Sequence, residues 1–325
     1  IQRRKAGKPP ILWQLNRERG VAIGIEVIPD ELRATVVNIT GEIVRQTILT
    51  PVQTTGNQAL TVSLRRCMQQ VIEEFNIRTD KLMGAGIALT GLVDRKNGLI
   101  RYSRKLGIKD HHLVQSLSVD FPVEIINDAN AGALGLKWNA DAMMQNHRHV
   151  VFLTLNEKTG YMGAGLILNN RLYEGAYGTA GELTAFVPSL KHLFERAQAF
   201  YGKSASIEAG SADRSLNLNG IIKFADNCPV CRAVLRKYSR FISAQMVRFV
   251  LLVNPDLVVI GGDLSNAQNL IHDWIADKVQ SQLKRNFPAG IAMPNIQFAA
   301  GGVHSVSRGA ASLMLRSIFA QDNAC

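Results

Sequence analysis

Asn127 and Asp128 stand at the end of a strand-like run, Phe121–Ile126, and open the segment Asn127-Asp-Ala-Asn-Ala131. In α/β proteins, groups just past the carboxyl end of a strand lie where ligands bind. An aspartate there can take a proton from a sugar hydroxyl, as the general base of phosphoryl transfer, or can simply accept that hydroxyl's hydrogen bond. The neighbouring amide offers a donor and an acceptor, which suits vicinal hydroxyls. A structural role is equally open, since an Asx turn here would cap a helix starting near Ala129. A second carboxylate, Glu182, closes the glycine-bounded loop Gly178-Thr-Ala-Gly181-Glu182 and could accept from a polyol. Gly261-Gly262 follows the apolar run Leu257–Ile260 and either admits a nucleotide base or ribose or forms a plain loop. Cys228-Pro-Val-Cys231 has the spacing of half a zinc site, but no second CxxC or His pair answers it. It also reads as a redox pair, or as a helix start with Pro229 in the first turn.

These residues need a frame, and the pattern of the chain supplies one. Val21–Val27, Glu31–Asn38 and Glu42–Thr50 read as three strands, with Thr40-Gly41 as the turn between the last two. Leu60, Leu64, Cys67, Met68, Val71, Ile72 and Phe75 then recur at helical spacing and predict an amphipathic helix. Met83–Leu89 is a short apolar strand that ends in Thr90-Gly91. Val150–Leu155 opens a second round of the same logic, followed by Gly160–Gly165, a strand-like Leu166–Leu168 and a hairpin turn at Asn169-Asn170. A long helix is predicted over Val230–Val253, stopped by Asn254-Pro255, and a last helix over Ser307–Phe319. Two halves that each begin with a β meander and finish in helices imply an internal duplication with a cleft between lobes.

Bulk properties narrow the class. The chain has 325 residues, 46% hydrophobic and 19% charged, which is enough for two α/β lobes with substantial cores. Its longest apolar runs, such as Phe249–Val253, are far short of the roughly 20 residues that cross a bilayer, and with a basic, polar Ile1–Pro10 no signal peptide is expected. No membrane association is expected. With four cysteines, two of them isolated, the expected compartment is the reducing cytoplasm. The net charge of +11 suggests attraction to a polyanion such as DNA. Part of that charge, Arg3, Arg4, Lys5 and Lys8, forms a basic N-terminal arm, which could touch phosphates or be a solvated tail.

Taken in order, Gly91-Leu-Val-Asp94, Asn127-Asp-Ala-Asn-Ala131, Gly163-Ala-Gly165, Gly181-Glu182, Asn254-Pro255, Val259-Ile-Gly-Gly-Asp263 and Gly309-Ala-Ala311 resemble the ROK family of repressors and sugar kinases, from about residue 20 to the end. The resemblance implies a two-lobed, actin-like and hexokinase-like α/β fold, a sugar between the lobes and frequent assembly into a homodimer or a dimer of dimers. It implies lobes over 21–130 and 131–325, with the last helix able to pack back on the first lobe. The implied sugar contacts are Gly91, Asn127, Asp128 and Glu182. Glu208 joins them because Ala205-Ser-Ile-Glu208 looks like the family's GCxE segment with its Cys replaced. Asp128 would be the catalytic base if the protein is a kinase, and Gly163, Gly165, Gly261 and Gly262 would then face ATP and Mg.

The departures from the family pattern favour a non-catalytic member. Where kinases carry DxGGT, this chain reads Glu26-Val-Ile-Pro29, and Pro29 removes a backbone donor outright. The second loop, GTGIGAG in kinases, becomes Thr159-Gly-Tyr-Met-Gly-Ala-Gly165. The family's zinc-loop cysteines are missing and Ala185 replaces its His, so no metal or other cofactor is expected. The segment Arg3–Asn16 resembles the join between the body of a ROK repressor and its winged helix-turn-helix, so residues 1–20 are expected to be a basic linker from such a domain. The expected function is the effector-binding and dimerisation body of a sugar-responsive transcriptional regulator, most naturally a repressor. Operator DNA would be reached through a domain outside the chain. An ATP-dependent sugar kinase of the same family is the alternative.

Overall fold

The computed structural model describes residues 15–137, 147–156, 161–186, 190–201, 218–288 and 292–319. The chain opens with a hairpin meander, β1 (Val21–Ile28), β2 (Glu31–Asn38) and β3 (Ile43–Leu49). Helix α1 (Asn57–Glu74) crosses back to β4 (Leu82–Leu89). A small sheet of β5 (Leu92–Asp94), β6 (Leu99–Ser103) and β7 (Ile108–His111) follows, then α2 (Leu113–Leu117), β8 (Val123–Asn127) and α3 (Asp128–Lys137). The second meander is β9 (Val150–Asn156), β10 (Tyr161–Leu168) and β11 (Arg171–Tyr173), to which β12 (Glu182–Phe186) adds through β10. Helices α4 (Leu190–Tyr201), α5 (Leu218–Phe224) and α6 (Pro229–Val253) lead to β13 (Leu257–Gly262). Helix α7 (Gln268–Asn286), β14 (Asn295–Phe298) and α8 (Ser305–Phe319) complete the chain.

The two large sheets repeat one topology. Their strand orders are β3-β2-β1-β4-β8 and β11-β10-β9-β13-β14. In each, the meander pairs antiparallel and the two later strands pair parallel. Parallel pairing needs a crossover, and α1 and α6 supply it. The duplication expected from the sequence is therefore visible strand for strand.

Between the sheets lie α3 and α8, so the layers run sheet, α8, α3, sheet. Small residues make this possible. A Cβ on Gly24 would fall 1.9 Å from the Ser307 carbonyl oxygen, and one on Gly86 1.8 Å from that of Ala310, so α8 lies directly on the first sheet. The boundary expected after residue 130 falls inside α3, which joins the two halves and does not end one. Phe152 fills the space beside this helix pair together with Leu134, Ala310 and Met314. The outer face of the first sheet packs Ile23, Ile25 and Ile87 against Leu60, Leu64 and Met68 of α1. The outer face of the second packs Val151, Leu153 and Val258 against Ile242 and Met246 of α6 and Ile275 of α7.

Strand period 2 then decides which side chains enter the interlobe space. On β1, Ile23, Ile25 and Val27 point to α1, which turns Ala22, Gly24 and Glu26 toward α8. On β2, Leu32, Ala34 and Val36 face α1, so Glu31, Arg33 and Thr35 face inward. Cys228 caps the first turn of α6, its Sγ accepting from the Cys231 amide at 3.3 Å, with Pro229 at the first helical position. Helix α6 stops at Asn254, which takes φ 48° before Pro255.

Candidate functional site

Asn127 is the last residue of β8 and Asp128 the first of α3, so strand end and helix start coincide. Oδ1 of Asn127 accepts from the amides of Ala129 (3.0 Å) and Asn130 (3.2 Å), which is the capping role. Its Nδ2 donates to the Gly91 carbonyl and to Glu182 Oε1, both at 3.2 Å. The cap and the bridge between halves thus use the same side chain at once. Asn127 is committed to holding Gly91 and Glu182 in place, while the carboxylates do the facing outward.

Asp128 accepts from the Ala129 amide through Oδ1 at 2.8 Å. Burial raises its pKa, and the backbone donors offset only part of that. Glu182 is open to solvent on its cleft side, yet desolvation by the surrounding protein, and then the charge of Asp128, push it up to about 7. Two neighbouring carboxyls, both with raised proton affinity, suit acceptance from neutral hydroxyls better than binding of an anion.

Glycines let this pair come together. Gly91 takes φ +115°, and a Cβ there would lie 2.3 Å from the Tyr102 carbonyl oxygen. Gly165 sits beneath α3, where a Cβ would meet the Ala129 carbonyl oxygen at 2.2 Å, and one on Gly163 would be 3.1 Å from Ala129 Cβ. Gly163 and Gly165 therefore seat the start of α3, a packing reason that needs no nucleotide. Of the stretch matched to the second phosphate loop, Thr159–Gly165, the residues from Tyr161 on lie in strand β10. Gly261 accommodates the Phe152 ring, 2.2 Å from where its Cβ would be, and Gly262, at φ +73°, turns the chain into Asp263. Glu208 and the arm Arg3–Lys8 lie outside the described residues, as does the side chain of Ala185.

The segment matching the first phosphate loop of kinases forms a two-residue hairpin. Ile28 pairs with Glu31 across Pro29 and Asp30. Pro29 has no N–H, and the amide of Asp30 donates to Thr54 Oγ1 at 3.0 Å. Thr54 Oγ1 in turn donates to the Ile28 carbonyl. The turn is strapped down, with these donors absent or spent.

Just inside it lies a buried ion cluster that the sequence reading did not find. The Arg33 guanidinium donates to Glu31 Oε1 at 2.6 Å, to Asp263 Oδ1 at 2.8 Å and to the Val303 carbonyl at 3.3 Å. Glu26 Oε2 stands 3.8 Å away, buried and without a hydrogen bond among the described residues. Burial opposes the charge on Arg33, but Glu26, Asp263 and Glu31 outweigh it and raise its pKa further. For Glu26, burial dominates, and despite Arg33 its pKa is pushed up to about 8. One cation against three carboxylates leaves Glu26 as the member that keeps its proton. The signal was present in the sequence: Glu26, Glu31 and Arg33 are polar residues at inward positions of otherwise apolar strands.

Among the described residues, no three His, Cys, Asp or Glu side chains come together to hold a metal ion. No helix among them is long and apolar enough to cross a membrane.

The sequence profile of the ROK family matches residues 22–317. The chain belongs to the ROK family. Its relatives within that family carry different names. It is 22% identical over 285 residues to the xylose repressor of Caldicellulosiruptor bescii, covering 80% of this chain and 70% of the repressor. In structure it resembles a ROK glucokinase of Streptomyces griseus solved with glucose and AMPPNP, with a TM-score of 0.76, 22% identity and coverage of 90% of this chain and 99% of that one. It also resembles a ROK transcriptional regulator homologous to the E. coli MLC protein, with a TM-score of 0.73, 18% identity and coverage of 94% and 80%. As a ROK protein, the chain shares the fold of repressors and kinases alike.

Proposed function

We propose that this ROK chain is the effector-binding body of a sugar-responsive transcriptional regulator, which binds a carbohydrate between its halves and does not phosphorylate it. The observation that carries this reading is the pair formed by the Pro29-Asp30 turn and the Arg33 cluster behind it. At the position of a phosphate loop the protein offers a strapped hairpin backed by Glu31 and Asp263, two carboxylates already paired with Arg33, and by a protonated Glu26, a lining with no spare cation for a triphosphate among the described residues. Arg33, the one cation of that cluster among the described residues, is already engaged by Glu31, Asp263 and the Val303 carbonyl. Asp128 and Glu182 serve on this reading as acceptors for sugar hydroxyls, on a frame built by Asn127 and Gly91. Similarity to repressors such as that of C. bescii supports the regulatory role, with DNA read by a domain outside these residues. A homodimer presenting two such domains would convert lobe closure into a change of DNA affinity.

The kinase alternative keeps one observation in its favour. Asp128 stands at the start of a helix beyond a strand end with a raised pKa, where a general base would sit. Calorimetry of this chain with xylose, glucose and N-acetylglucosamine, and separately with AMPPNP, tests the choice. The expected result is heat from at least one sugar, lost in Asp128→Ala, and none from the nucleotide. Transfer of phosphate from ATP to any of these sugars, abolished by Asp128→Ala, would overturn the reading.

A further inference from the structure

Outside the Asn127–Glu182 contact the two halves open into a cavity of about 1270 Å³ with a mixed polar and apolar lining. That exceeds the roughly 300–1,000 Å³ usual for a pocket holding a drug-sized molecule, and far exceeds the need of one sugar ring. Its walls continue the elements of the inner site. On one side they begin at Leu92, the residue after Gly91, and include Glu124 on β8, the strand that ends in Asn127. On the other they run from Glu174 to Gly178, four residues before Glu182. The walls come close where a Cβ on Gly178 would lie 3.9 Å from the Val93 carbonyl oxygen.

The chemistry of the cavity points to a neutral polyol. Arg95 pairs with Glu124 at 3.2 Å, Arg101 pairs with Asp94, and Lys96 and Glu174 add one charge of each sign. Charges of both signs interspersed in this way give hydrogen-bonding groups in every direction without a net field that would select a phosphate or a carboxylate. Tyr177 lines the same cavity with 90% of its surface exposed. An aromatic face left bare at the wall of a cavity that mixes charged and apolar groups is suited to stacking on the apolar face of a sugar ring.

We infer that this cavity is a second carbohydrate subsite, so that the ligand of the cleft is a neutral di- or oligosaccharide. Its terminal ring reaches Asp128 and Glu182, and its next ring stacks on Tyr177. The inference rests on the sugar-binding reading of the inner site.

Calorimetry with matched pairs separates the two: xylose with xylobiose, glucose with cellobiose, N-acetylglucosamine with its β-1,4 dimer, and glucose 6-phosphate as a charged control. The expected result is that one dimer binds at least tenfold tighter than its own monomer, and that Tyr177→Ala returns this ratio toward one. If a monomer binds and its dimer binds no better, the second subsite is wrong and the inner site stands. Tightest binding of the sugar phosphate overturns the neutral-ligand assignment. If none of these sugars binds, the inner site falls and the second subsite with it.

Discussion

Glu26→Gln should make the protein more stable at pH 8, although it alters a fully buried residue. Glu26 has a pKa of about 8 in the folded chain against an ordinary value of 4.5. Its proton is therefore bound more tightly folded than unfolded, and the sign follows. Below pH 4.5 both states are protonated and the site costs nothing. As pH rises, the unfolded chain releases the proton first, so stability falls until the folded site also ionises near pH 8. At about 1.4 kcal/mol per pH unit, the full loss is on the order of 5 kcal/mol, most of it incurred by pH 7. Glutamine keeps the shape and stays neutral, so the variant should lose this slope. Arg33, Asp263, Glu31 and Asp128 all act on the group but are common to both proteins, and so are Glu182 and Asp128 as other raised carboxyls. The difference between wild type and variant therefore isolates Glu26. Urea unfolding at pH 5, 6, 7 and 8 measures it. Parallel stability curves for the two proteins across that range would refute the argument, because they would mean that Glu26 is not the proton-holding member of the cluster.

The other predictions are simpler. Arg33→Met leaves Glu31 and Asp263 buried without their cation and should cost about 3–5 kcal/mol in urea unfolding at pH 7; an effect under 1 kcal/mol would show that the cluster is hydrated. Gly165→Ala drives a methyl into the Ala129 carbonyl, so it should cost about 1–3 kcal/mol and weaken sugar binding by displacing Asp128. An alanine variant with unchanged sugar affinity would separate α3 placement from the site. Since Glu182 is held near 7, sugar affinity should rise between pH 6 and 8 as it becomes a full acceptor, and calorimetry of Glu182→Gln should show a flat profile over the same range.

What the sequence made legible was whatever has a local signature. The alternation in Val21–Val27, the helical spacing from Leu60 to Phe75 and the Asn254-Pro255 stop each produced the element observed. The duplicated topology followed from the repeat of the meander. Elements with weaker periodicity were not seen: the small sheet over Leu92–His111, and α7, whose apolar residues Ile271, Ile275, Val279 and Leu283 fall at spacing four within a polar sequence. At the site, Asn127, Asp128 and Glu182 were singled out by type and position, and the structure joins Asn127 to Glu182 and sets Asp128 near enough for its charge to act on Glu182. The double use of Asn127 as cap and bridge could not be read, because it depends on Glu182, 55 positions away. The Arg33–Asp263 pair is more distant still, 230 positions apart, and no local pattern announces a partner at that range.

The two ends of the cleft differ in how firmly they join the halves, and this difference bears on the proposed signalling. At the closed end, Arg33 and Asp263 form a buried charge-assisted bond, and Thr35 and Ser307 share a 2.7 Å hydrogen bond. At the open end, Asn127 and Glu182 are linked by a 3.2 Å hydrogen bond at a solvent-reached carboxylate. A buried pair of this kind costs several kcal/mol to break, whereas an exposed hydrogen bond is worth about 1 kcal/mol. Motion of one half against the other should therefore pivot at the Arg33 end and open or close at the Glu182 end. A ligand shifts such an equilibrium only by its difference in affinity for the two states. A sugar touching residues on both sides of the open end has that difference built in, because its contacts to one side are made only when the cleft is closed. In a kinase the stiffness of the Arg33 end would obstruct entry of a nucleotide; in the proposed sensor it would confine the response to the Glu182 end.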